Sequence, residues 1–294
     1  MRGGAALGLI SILAACFAQE TTRVWIPVAV TDPKMRFVTG LRKENFKVFE
    51  NDIEQVVTQF TKEDVPLSVG IVFDTSGSMG NKLRKSREAV AEFFKTANPA
   101  DEFFIVCFSD SPHLAVSLTP AFEEIQKRLA FTHAKGHTAL LDGIYMAIDH
   151  VKQARNQRKA LLIISDGSDN SSKYSEAEVR NAVRESDVQV YSIGIYEPLP
   201  SGDQRPEDAD SPGLLRDLSE ETGGKNFRVG NQANLREVAA TIGHELRNQY
   251  VLGYTPKNLV KDGEYRRVQV RLVKTEGLPP LKAAFRTGYY APTL

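Results

Sequence analysis

Asp74, Ser76 and Ser78 occupy alternate positions in "FDTSGSMG" (73–80), directly after the apolar run "SVGIV". One carboxylate and two hydroxyls on a tight loop can turn into one pocket, and Gly77 permits the bend between them. All three are hard oxygen donors suited to Mg²⁺, which wants six oxygens and keeps several waters where carboxylates are few. The same composition also fits a phosphate acceptor or an ordinary polar turn, and D-x-S-x-S alone does not separate these readings. Two further stretches add donors of the same kind: Thr138 in "GHTALLDG" (136–143) and Asp166 in "LLIISDGSDN" (161–170).

Such donors need rigid elements to bring them together. Four runs, "LSVGIVF" (67–73), "EFFIVCF" (102–108), "KALLIIS" (159–165) and "VQVYSIGI" (188–195), are apolar nearly throughout, as strands covered on both faces are. Between them Ala89, Val90, Phe93, Phe94 and Ala97 recur at helical spacing, as do Leu140, Leu141, Ile144, Ala147, Ile148 and Val151. Strands alternating with crossover helices predict an α/β class: a doubly wound, mostly parallel sheet with helices on both faces. Open sheets of this kind bind ligands at the carboxyl ends of their strands, where Asp74, Ser76, Ser78 and Asp166 fall, with Thr138 at the start of a helix on the same edge. Later helices are expected from Ser175 with Glu178, whose spacing is that of a capping box, and over "GLLRDLSEETGG" (213–224) and "ANLREVAATIGHEL" (233–246). The stretch "EPLPSGDQRPEDADSP" (197–212) reads as a surface loop. "KLRKSR" (82–87) reads as an exposed helix face.

The flanks differ in character. "TRVWIPVAVTD", "NFKVFEND" and "IEQVVTQF" before the α/β region, and "QYVLGYTP", "YRRVQVRLV" and "LKAAFRTGYY" after it, alternate or are rich in β-branched and aromatic residues. Neither flank has enough strands to close a core alone, so residues 22–62 and 249–291 are expected to form one small β-sandwich, with the α/β domain (65–248) inserted between them.

Lys plus Arg and Asp plus Glu number 37 each, which gives no electrostatic footprint for nucleic acid or an anionic membrane surface. Residues 1–18 read as a signal peptide, with Arg2, a short apolar stretch and a small residue, Ala18, before the polar "QETT". The chain is therefore expected to be exported, to the periplasm or the extracellular space. "LAAC" (13–16) also resembles a lipobox, in which Cys16 would carry a lipid anchor. No transmembrane span is expected after the leader, and Cys107 reads as a small buried hydrophobe.

With Asp74, Ser76 and Ser78 matching D-x-S-x-S, Thr138 the separate threonine and Asp166 the last aspartate in "IISDG", the chain resembles the von Willebrand factor A (VWA) or integrin I-domain family at its metal-ion-dependent adhesion site. The resemblance runs from about residue 65 to 248. With the flanks included, the chain is similar to exported bacterial VWA-related proteins. It implies a three-layer α/β/α domain and a Mg²⁺ or Mn²⁺ ion held by those five residues. It also implies an adhesion or interaction function without enzymatic activity, in which a partner's exposed Asp or Glu completes the metal sphere. His137 stands where a second glycine is frequent in the family. Two rivals are set beside this reading. "DTSGS" also resembles the aspartyl-phosphate loop of P-type ATPases and haloacid dehalogenase-like phosphotransferases, although Thr75 replaces their lysine. The domain can also be a metal-free scaffold, against which stands the repulsion of two adjacent aspartates lacking a cation.

Overall fold

A computed structural model of the chain describes residues 23–62, 64–167, 169–195, 207–230, 234–274 and 277–293. The expected leader, its cleavage site and Cys16 lie outside the described residues. The chain begins with β1 (Val24–Thr31), β2 (Phe46–Glu50), β3 (Ile53–Gln55) and β4 (Val57–Thr61). The α/β region follows with β5 (Leu67–Asp74), α1 (Leu83–Phe94), β6 (Glu102–Phe108), β7 (Pro112–Thr119), α2 (Phe122–Ala130), α3 (Leu140–Val151) and β8 (Arg158–Ser165). It continues through α4 (Glu176–Glu185), β9 (Val188–Ile195), α5 (Glu207–Glu221), β10 (Asn226–Val229) and α6 (Leu235–Arg247). Four strands complete the chain: β11 (Tyr250–Tyr254), β12 (Tyr265–Leu272), β13 (Lys282–Phe285) and β14 (Gly288–Tyr290).

The central sheet has the order β10-β9-β8-β5-β6-β7, parallel except for β7, which runs antiparallel to β6 at one edge. Every residue of β5, β6 and β9 is buried, which explains their continuous apolar character. The side chains of β5 divide between two cores. Leu67, Val69, Ile71 and Phe73 face α1, α2 and α6, where Phe93, Phe94, Ile125, Leu129, Ala239 and Ile242 pack. Val72 faces α3, α4 and α5, with Ile144, Ile148, Val183 and Leu218. The result is the three-layer arrangement expected from the periodicity. Gly70 marks a close approach within the sheet, since a Cβ there would lie 2.2 Å from the Phe104 ring.

Both flanks build the second body. In one antiparallel sheet of order β13-β1-β11-β4, β1 from the N-terminal flank lies between two C-terminal strands. In the other, β14-β12-β2-β3, strand β12 pairs with β2 from Phe46 to Glu50. The two sheets share one core that includes Ile26, Val28, Val48, Leu252, Tyr254 and Val268. Glu50, 2% exposed, accepts the hydroxyls of Tyr254 and Tyr289 at 2.8 and 2.7 Å and so joins the sheets through a polar contact inside that core. The β-sandwich expected from the flanks is therefore present, and the α/β domain is inserted between its halves.

Two local expectations need correction, and two elements went unread in the sequence. Helix α5 begins at Glu207, inside the stretch expected to be loop through residue 212. The loop expectation rested on the Pro, Asp, Ser and Gly content of residues 197–212, and the part of α5 before the apolar "GLL" has no hydrophobic periodicity to oppose it. Strand β7 and helix α2 carried no strong pattern: β7 is an edge strand with only half-buried or exposed residues, so its side chains are not forced into alternation. Finally, "KLRKSR" is not uniformly exposed, because Lys82 and Leu83 are buried.

Candidate functional site

Strands β5 and β8 are parallel neighbours in which Phe73 lies opposite Ile164. The next residues along each strand, Asp74 and Ser165, are joined by a hydrogen bond of 2.6 Å from the Ser165 hydroxyl to Asp74 Oδ2. Asp166 follows immediately. The pairing therefore delivers the two aspartates to the same sheet edge, close enough that the Asp166 charge acts on Asp74. Asp74 is fully buried. Its burial raises the carboxyl above its ordinary value, while hydrogen bonds from Ser165 and Ser76 pull it back and the neighbouring Asp166 adds to the rise.

The serines are held by backbone geometry. Ser76 donates its N–H to Asp74 Oδ1 at 2.8 Å, and a single 3-10 turn (Gly77–Met79) follows. That turn places the Ser78 hydroxyl 3.1 Å from that of Ser76. The loop is anchored on both sides: Thr75 N–H donates to the Phe108 carbonyl, Lys135 N–H to the Thr75 carbonyl, and Gly77 N–H to the Gly136 carbonyl. Gly136 has φ of 78°, and a Cβ there would lie 2.4 Å from the Asp110 carboxylate. That carboxylate accepts the N–H of His137 at 2.7 Å; His137 itself is exposed, as a loop residue at this position is expected to be.

Thr138 is 3% exposed and lies just before α3. Asn170 accepts its N–H at 2.9 Å, while the Thr138 carbonyl accepts the N–H groups of Asn170 and Ser171. Asp169 accepts the N–H of Leu141 in the first turn of α3. Asp169 and Asn170 thus clasp the start of α3 and hold Thr138 on the loop that follows β8. All five residues selected from the sequence fall on adjoining loops at one end of the sheet.

Sequence reasoning missed Lys82. Its ammonium lies 3.2 Å from Asp166 Oδ2, with side-chain exposures of 8% and 9% for the two residues. The other Asp166 oxygen, Oδ1, is buried and has no hydrogen-bond partner. The backbone of Lys82 immediately precedes α1, so its stem reaches from the helix start across the strand ends. A lysine four residues after Ser78, at the start of the crossover helix, is the sequence signal; amphipathic patterning hid it among the exposed charges of "KLRKSR". Asp110, Asp169 and Asn170, which shape the loops, were also not singled out.

The donor set is chemically suited to a hard divalent cation. It offers two carboxylates and three hydroxyls, and one carboxylate oxygen is buried without a partner, a costly condition that a bound cation would relieve. Among the described residues no group of three or more His, Cys, Asp or Glu side chains is arranged to hold a metal, and the five donors include only two such side chains, Asp74 and Asp166. Cys107 is no nucleophile in waiting, since burial pushes its thiol up to about 12. A separate cleft of about 370 Å³ lies between the base of the sheet and the sandwich, walled in part by Trp25, Tyr265 and Tyr290; none of the five donors lines it.

Residues 69–168, which contain all five donors, match the family model of the von Willebrand factor type A domain. This stretch is similar to a VWA domain. An uncharacterized protein of Borreliella burgdorferi is 29% identical over 148 residues, covering 46% of this chain and 43% of that protein, so the match spans less than half of that relative. Among solved structures, a von Willebrand factor type A protein from Catenulispora acidiphila superposes with a TM-score of 0.53 at 14% identity, covering 92% of this chain and 75% of the other. The von Willebrand domain of the type V pili tip protein Mfa5 from Porphyromonas gingivalis gives 0.50 at 13% identity, covering 62% and 95%. At these identities the likeness to the solved structures is one of fold.

Proposed function

We propose that the protein is an exported, non-enzymatic interaction module of the bacterial envelope, in which the VWA domain binds a protein partner through a divalent cation. Asp74, Ser76, Ser78, Thr138 and Asp166 would hold Mg²⁺ or Mn²⁺, and an exposed Asp or Glu of the partner would complete the sphere. The observation that carries this reading is the partnerless, buried Oδ1 of Asp166 beside buried Asp74. A hydroxyl-rich set with only two charged ligands leaves coordination positions to water, and an incoming carboxylate gains more there than an amide does. The occurrence of a von Willebrand domain in a pilus-tip protein is in keeping with a role at the cell surface. Among the described residues no helix is long and apolar enough to cross a membrane.

The phosphotransferase rival finds little support. Such chemistry needs a positive group and a proton-transferring group beside the nucleophile. Thr75, which stands in place of the lysine, turns its hydroxyl to the Phe108 carbonyl at 2.8 Å instead. The metal-free scaffold keeps one specific observation in its favour: Lys82 supplies a positive charge to the aspartate pair, so the pair does not depend on a metal for its counter-charge.

Capture of binding proteins from envelope extracts, with wild type and Asp74→Ala each in Mg²⁺ and in EDTA, separates these readings. Metal-dependent interaction predicts a partner retained only by wild type in Mg²⁺. A partner retained equally in EDTA, or by Asp74→Ala, would assign binding to another surface and leave the VWA domain a scaffold.

A further inference from the structure

We propose that Lys82 is an exchangeable counter-ion of this site, occupying Asp166 when no metal is bound and expelled toward solvent when a divalent cation arrives. The proposal rests on the metal-binding reading above. The ammonium contacts Asp166 Oδ2 from a position as buried as the carboxylate itself, and it approaches from the end of the sheet to which Asp74 also points. One ammonium, that of Lys82, serves two neighbouring acidic side chains, and Asp166 Oδ1 is left buried without a hydrogen-bond partner. A divalent ion would supply further positive charge. It would also lie within a few ångströms of the ammonium, and two cations that close in a site largely shielded from water repel strongly.

The surroundings let the side chain leave without disturbing the fold. The backbone of Lys82 is pinned at both ends, by its N–H to the Met79 carbonyl and by its carbonyl receiving the N–H of Ser86, so α1 stays in place. Only the flexible four-carbon stem needs to turn, and Gly80 and Asn81 beside it are exposed. Lysine suits this role where arginine would not, because a compact ammonium makes no fixed two-pronged contact with the carboxylate. The device gives the metal-free protein a stable resting state and weakens its apparent metal affinity, since each binding event must first break the Lys82–Asp166 pair. It also adds a positive charge to the rim of the loaded site, where an acidic partner docks.

Two measurements on the full chain test the exchange. Titration with Mn²⁺ is expected to show Lys82→Met and Lys82→Gln binding the ion about tenfold or more tightly than wild type, as removal of an internal competitor requires. In wild type, acylation of Lys82 by an amine-reactive ester, followed by peptide mass spectrometry, is expected to rise on saturation with Mn²⁺. Mn²⁺ binding by the variants alone, with none by wild type, would overturn the exchange, because Lys82 would then be a fixed partner of Asp166. Equal or weaker binding by both variants, or Lys82 labelling that stays flat or falls in the loaded wild type, would overturn the exchange while leaving the metal site standing. Absence of Mn²⁺ binding in wild type and both variants would overturn the metal reading and the exchange together. The labelling arm needs no variant, so it decides the matter even where a substitution impairs folding.

Discussion

Asp166 has a different situation at each oxygen: Oδ2 is held by the Lys82 ammonium, while Oδ1 is buried without a partner. Removing this carboxylate therefore does two things, deleting a metal ligand and stranding a buried ammonium. Asp166→Ala is expected to destabilise the metal-free protein by about 1–2 kcal/mol, less than the usual cost of leaving one member of a buried pair, because the freed Lys82 stem can turn to solvent. Urea unfolding in EDTA checks this, and the double variant Asp166→Ala with Lys82→Met should recover much of the loss. A loss below about 1 kcal/mol would mean that the pair is better solvated than its burial indicates. Such consequences were partly legible in the sequence. Asp74, Ser76, Ser78, Thr138 and Asp166 could be picked out because hard oxygen donors at strand ends form a recognisable chemical pattern. Lys82 could not, because a lone lysine beside Arg84, Lys85 and Arg87 reads as part of a solvated face; only the path of its side chain distinguishes it.

Helix α6 illustrates what is decided at the scale of an element. Its apolar stripe of Leu235, Ala239, Ile242 and Leu246 was visible in the sequence and is buried against the sheet. Glu245, on the same helix, is fully buried, accepting Lys225 Nζ at 2.6 Å and the Tyr191 hydroxyl at 3.1 Å. Periodicity cannot foresee this, because the partners come from β9 and the turn before β10. Burial raises the Glu245 carboxyl above its ordinary 4.5, only partly offset by Lys225 and Tyr191. Its native state thus holds the proton more tightly than the unfolded chain does. Glu245 therefore contributes stability that is fully present below pH 4.5 and is lost as the pH rises through the higher native value. Glu245→Gln, which cannot titrate, should lose this component, so the stability difference between wild type and variant should shift in the variant's favour as the pH is raised from 4 to 7. Chemical denaturation across that range provides the check, and a difference independent of pH would contradict it. Glu245→Ala at neutral pH should instead cost about 3 kcal/mol by leaving Lys225 and Tyr191 without their acceptor.

At the scale of the whole molecule, the two flanks form one folding unit around an inserted domain. Alternation in "VWIPVAVT" and "YRRVQVRL" announced strands, and the scarcity of strands in each flank announced that they must share a core; the pairing order itself was not legible, because register depends on which faces meet. Strand β1 sits between β11 and β13, so a chain cut after residue 248 leaves β1 without either neighbour. Residues 24–61 of that truncated protein are expected to become sensitive to protease while the α/β domain keeps its parallel sheet. Persistent protection of β1 would contradict the shared sandwich. The sandwich also meets the domain away from the donor loops, through Thr287 N–H to the Glu221 carbonyl at 2.9 Å and the Arg286–Asp187 ion pair, which leaves the carboxyl ends of the central strands free to face a partner. Whether those strand ends hold a cation is the claim on which the rest depends. Calorimetric titration of the wild-type chain and Asp74→Ala with Mn²⁺, each shown to be folded by circular dichroism, tests it most directly. One ion bound per wild-type chain and none by Asp74→Ala is the predicted result; no binding by wild type, or equal binding by both, would contradict it.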